Sequence, residues 1–61
     1  MKARTKNELA MAAGVSLATF RRWLKSDENY LKIHHVPPHS KVLPGKVVQY
    51  LCEKYDIELD E

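Results

Sequence analysis

The chain has 61 residues, 44% of them hydrophobic and 30% charged, with a single cysteine and a formal net charge of +2. That length supports one domain with a small core, since so short a chain buries only about 60% of its unfolded surface, and it leaves no room for a cleft between domains. The lone Cys52 excludes an internal disulfide and fits a reducing compartment, and no apolar run is long enough for a membrane span or signal peptide, so a cytoplasmic location is expected.

Residues 1–4 read as a flexible basic arm. Thr5-Lys6-Asn7-Glu8 has the capping-box spacing, in which threonine accepts from the backbone three residues on and glutamate reaches back. A first helix therefore starts at Thr5 and runs through residues 9–13. Gly14 stops it, because glycine tolerates the positive φ of a tight exit from a helix. Ser16 is a good N-cap for a second helix over residues 17–25. Ser26 offers a further cap, with Asp27 and Glu28 placed favourably for a helix dipole, which predicts a short third helix over about residues 27–33. The alternation of Leu31 and Ile33 about Lys32 is the argument for a strand instead.

Pro37-Pro38 disfavours both a regular helix and a tight hairpin across residues 34–41. The last helix begins near Pro44 and runs to about Tyr55. At about 100° per residue, Val47, Val48, Leu51, Cys52 and Tyr55 fall on one arc, with Gln49, Tyr50, Glu53 and Lys54 on the other side. Tyr50, off the apolar arc, is either exposed or a contact to a second subunit. Residues 56–61 form an acidic, frayed tail. The expected organisation is a basic arm (1–4), a helix-turn-helix domain (5–55) and the tail (56–61). The fold class is mainly α: a compact helix-turn-helix core with a C-terminal amphipathic helix, joined by a connector that is either a short helix or an irregular wing.

The segment that carries chemistry is residues 6–25. Two short helices crossing steeply need a small residue where they touch, supplied by Ala10, and a turn free of Cβ clash, supplied by Gly14 four residues on. Val15 plugs the gap beneath the turn. Phe20 and Trp23 anchor the second helix to the first, a core role rather than base stacking. With Leu17 at zero on a helical wheel, Ala18, Arg21, Arg22 and Lys25 fall between about 40° and 140°, and Phe20, Trp23 and Leu24 fall on the opposite side. One face packs on the protein and the other presents three cations around an alanine. Such a face fits a major groove about 12 Å wide, where arginine bonds guanine in bidentate fashion. The charge distribution agrees: residues 1–25 carry six cations against Glu8 alone, a balance of +5, and residues 26–61 carry four cations against seven carboxylates, a balance of −3.

Leu9-Ala10, Gly14-Val15-Ser16, Phe20 and Trp23 resemble the helix-turn-helix signature of bacterial and phage DNA-binding proteins. "LATFRRWL", a spacer and "VLPGKVVQYL" are similar to the MerR and excisionase-like group. "KNELAM" followed by an "RRWL"-like segment is also similar to a family of short uncharacterised bacterial helix-turn-helix proteins. Excisionase-like proteins usually carry a compact wing with glycine and arginine, where this chain has His34-His35-Val36-Pro37-Pro38-His39. The resemblance implies that Ser16, Leu17, Ala18, Arg21, Arg22 and Lys25 face the groove and that Lys6 and Asn7 touch phosphate at the start of the first helix, with residues 1–4 as an added arm.

The expected function is binding of double-stranded DNA, as a small transcriptional regulator or a recombination accessory factor of a phage or mobile element. The competing reading is a protein-interaction adaptor on the same fold. Pairing or cooperative assembly on DNA would raise the affinity of so small a reader. No nucleophile, base and orienting acid form a catalytic set, and no glycine-rich phosphate loop is present, so no enzyme is expected. The spacing of His34, His35, His39 and Cys52 matches no zinc pattern, so no metal, other cofactor, small-molecule ligand or membrane partner is expected either.

Overall fold

The computed structural model describes residues 1–37 and 39–59; Pro38 of the connector and Asp60 and Glu61 of the expected tail lie outside them. In chain order the elements are β1 (Arg4–Thr5), α1 (Lys6–Ala13), α2 (Leu17–Ser26), α3 (Glu28–Ile33), β2 (Val42–Leu43) and α4 (Gly45–Tyr55). The fold is mainly α, a helix-turn-helix core closed by an amphipathic C-terminal helix, with one two-stranded ribbon.

The capping box of α1 forms as its spacing requires. Thr5 Oγ1 accepts from the Glu8 backbone N–H at 3.0 Å, and Glu8 Oε1 accepts from the Thr5 N–H at 3.0 Å. The helix ends at Gly14, whose φ of 74° lies in the left-handed region, and Val15 N–H then donates to the Ala10 carbonyl at 3.0 Å. Ser16 caps α2 by accepting from Thr19 N–H at 3.2 Å. Ala10, 2% exposed, meets the expectation of a small buried residue near the turn.

Two local expectations are corrected, and the helix expected for the third segment is borne out. Ser26 does not start a new helix; it is the last residue of α2, and Asp27 alone separates α2 from α3. The third segment is a helix and not a strand, but Asp27 makes no capping bond, because its carboxylate turns inward. The tail does not fray over its described part: Asp56 takes a left-handed conformation (φ 53°), Ile57 N–H bonds to the Cys52 carbonyl at 2.9 Å, and the Ile57 side chain is buried.

The arm expected at residues 1–4 is likewise tied down. Arg4 pairs with Leu43 and Thr5 with Val42 in an antiparallel ladder, and Lys6 N–H continues it to the Lys41 carbonyl at 3.0 Å. The connector between α2 and α4 is thus a short helix, α3, followed by an irregular stretch that is not a self-contained wing. In that stretch Ser40 N–H bonds to the Pro37 carbonyl, and the chain then feeds a strand that closes against the chain's beginning. The backbone of Met1 lies so near the start of α4 that a Cβ at Gly45 would sit 1.8 Å from its carbonyl oxygen.

The core gathers Leu9 of α1, Phe20 and Leu24 of α2, Leu31 of α3, Leu43 of β2 and the predicted arc of α4, in which Val47, Val48 and Leu51 are fully buried. Each fully buried side chain of this size contributes about 1.5–3 kcal/mol from water exclusion. Among the described residues, no helix is long and apolar enough to cross a membrane.

Candidate nucleic-acid interface

The wheel drawn from the sequence is the wheel observed. Phe20 and Leu24 of α2 are buried, and Ala18, Arg21, Arg22 and Lys25 are exposed. The core-facing side chains Phe20 and Leu24 centre near 320° when Leu17 is at zero, so the point farthest from the core is near 140°, which is Arg22, with Ala18 beside it at about 100°. Arg22 and Ala18 thus form the crest of the helix. Arg21, at about 40°, sits on its flank.

The other expected site residues divide by position. Asn7 and Ser16 are exposed, and Lys6 and Leu17 are half-buried. The Ser16 hydroxyl is already engaged, accepting from Thr19 N–H and donating to Thr19 Oγ1 at 3.0 Å, and Leu17 packs on the core. Trp23 anchors α2 differently from expectation. It is half-buried, meets Phe20 edge-on at 6.0 Å between ring centroids, and stacks on Tyr55 of α4 rather than on α1.

Two hollows lie along the Arg21 flank of α2, and Arg21 lines both. One, of about 370 Å³, lies between α2 and α3; Leu24, Leu31 and Val36 form its floor and Lys25, Lys32 and Glu28 its rim. The other is bounded by the start of α1, by Leu17 and Arg21, and by His39, Ser40 and Lys41 of the connector. Lys6 reaches both. The connector is brought here by the ladder that fastens the Lys41 carbonyl to Lys6 N–H. Sequence reasoning missed His39 and Lys41, because a proline-rich linker carries no periodicity that fixes where it lies.

This region is electropositive. Burial and then the nearby Arg21 guanidinium lower the Lys6 ammonium below its usual pKa, which places two cations in one neighbourhood. Among the described residues, Arg21, Arg22 and Lys25 form no ion pair with a carboxylate. The Arg4 guanidinium, by contrast, meets Glu8 at 3.3 Å. The Thr5 backbone N–H, then Arg4 and the Thr5 hydroxyl, hold the Glu8 carboxyl below its ordinary range.

Behind the face is a polar cluster that the sequence did not reveal. Asp27, 6% exposed, receives Tyr50 Oη at 3.0 Å, Tyr55 Oη at 2.9 Å and the Lys54 ammonium, all from α4. Burial pushes the Asp27 carboxyl up, but the bonds from Lys54, Tyr55 and Tyr50 and the Lys54 charge outweigh it, and its pKa falls below the usual value. Tyr50 is thus not free: it is half-buried, holds Asp27 and stacks on Tyr30 at 3.8 Å. The cluster locks the α2–α3 corner to α4 and so fixes how α2 projects. His34 packs on the Tyr30 ring at 4.5 Å, His35 is exposed with φ 58°, and Cys52 is buried. Comparison of the chain with family models, with curated proteins and with solved structures returns no match.

Proposed function

We propose that this chain binds double-stranded DNA by laying α2 in the major groove, acting as a small transcriptional regulator or as a recombination accessory factor of a phage or mobile element, as the likeness to MerR and excisionase-like proteins implies. The observation that carries the reading is the exposed face of α2. Arg21, Arg22 and Lys25 stand around Ala18 on a helix set by a tight turn across α1, without carboxylate partners among the described residues. A polyanion supplies the countercharge such a face lacks. Lys6 and Asn7 at the start of α1 border the same face and are suited to phosphate.

The adaptor reading draws on the apolar floor of the α2–α3 hollow, which a side chain of a protein partner could fill. Titration of a labelled random-sequence duplex at several salt concentrations separates the two. Duplex binding through this face weakens steeply with salt, by a slope of about −0.9 in log K per neutralised phosphate. A flat response, or no binding at low salt, supports the adaptor.

A further inference from the structure

Arg21 and Arg22 are neighbours in sequence but not in setting. Arg22 occupies the crest of α2, opposite the buried Phe20 and Leu24, and lines neither hollow. A helix entering a groove crest-first carries the crest side chain to the base edges and leaves its flanks facing the two backbone walls. Arg21 is on a flank, and that flank is built up by other parts of the chain. Lys6 stands beside it from α1, and Lys41 is delivered from the connector, 35 residues further on, by the ladder bond between its own carbonyl and Lys6 N–H. Among the described residues no carboxylate lines this hollow; the polar groups there besides the cations are Thr5, Asn7, His39 and Ser40.

We propose that Lys6, Arg21 and Lys41 form one phosphate-holding site on the flank of α2, and that Arg22 on the crest is the arginine that reads a base. The proposal rests on the duplex-DNA reading above and deepens it. It assigns the connector a contact that substitutes for an independent wing: a cation placed by β-ladder closure instead of by a hairpin. It also separates affinity from selectivity within two adjacent residues. Arg21 and Lys41 act on every sequence alike because phosphates are common to all, whereas Arg22 acts on the one base pair its guanidinium meets.

The test uses the full chain and two probes, a random-sequence duplex and a duplex selected from a library by the parent protein. Affinities are measured by fluorescence anisotropy across a salt series, with Lys46→Ala on α4 as a charge-matched control and circular dichroism melting to check folding. Arg21→Ala and Lys41→Ala are expected to weaken both probes by similar factors and each to lower the salt slope by about one. Arg22→Ala is expected to lose about 5- to 150-fold in preference for the selected duplex over the random one. If the parent binds duplex but Lys41→Ala matches Lys46→Ala in affinity and slope, the phosphate site is overturned and the function stands. If Arg21→Ala, rather than Arg22→Ala, removes the preference, the division of roles is overturned. If the parent binds neither probe at low salt, both the proposal and the DNA reading fall.

Discussion

The indole of Trp23 lies flat on the phenol of Tyr55, with ring centroids 4.4 Å apart and planes 8° from parallel. This contact, with the Phe20 edge behind it, joins α2 to α4. Trp23 is half-buried and Phe20 fully buried. Trp23→Ala should therefore cost about 2–3 kcal/mol, and Phe20→Ala about 3–5 kcal/mol, the range for a large aromatic removed from a closed core. A domain of this size has only about 3–9 kcal/mol of stability in all. Urea titration followed by circular dichroism should find Phe20→Ala largely unfolded and Trp23→Ala folded with a lowered midpoint. The reverse order would mean that the Trp23–Tyr55 stack carries more of the fold than the packing around Phe20 does.

Asp27 gives the fold an acid limit. Its carboxyl titrates below its ordinary pKa of 3.8 when folded, so the folded state binds its proton less readily than the unfolded state does. The stabilisation is present above the unfolded value and is lost as pH falls from there through the folded value. The melting temperature should drop across that acid window, and Asp27→Asn should flatten the drop. Asp27→Ala, which strands the two tyrosine hydroxyls and Lys54, should cost about 1–3 kcal/mol near neutral pH. Equal acid sensitivity in parent and Asp27→Asn would assign the limit to another carboxylate, Glu8 first, since it too is lowered.

Gly14 tests the turn itself. Its φ is 74°, and a Cβ added there meets nothing within 4 Å, so the cost of a side chain is conformational and not steric crowding by neighbours. Gly14→Ala should destabilise by about 1–2 kcal/mol, and Gly14→Asn by less, because asparagine visits the left-handed region more readily. Thermal melts of the two variants check the order. A neutral Gly14→Ala would show that the turn relaxes to another conformation.

What could be read from the sequence was local. The Thr5–Glu8 box, Gly14, the Ser16 cap and the arc from Val47 to Tyr55 are all set within four residues or by a single helical period, and the structure bears each out. The Asp27 cluster was hidden because its partners lie 23 to 28 residues away on α4, Tyr50 and Lys54 on the polar side and Tyr55 on the apolar arc. An aspartate before Glu28 looks like an ordinary helix-start residue until its burial is known. The ribbon was hidden for another reason: strands of two residues are too short for alternation to register. The same gap concealed Lys41, whose place depends on the ribbon. The exposed face of α2 needed only its own helical period and was legible in full.

The pairing of Arg4 with Leu43 spans 39 residues of chain, the difference of their numbers, whereas α1, the turn and α2 lie within 21 residues, from Lys6 to Ser26. Closing the longer loop costs more chain entropy before any contact repays it. The expected order of folding has the helical corner assemble first, from contacts near in sequence, and the ribbon close late. The connector reaches its place beside Arg21 only at that last step, so the flank of α2 is completed after its crest is already formed.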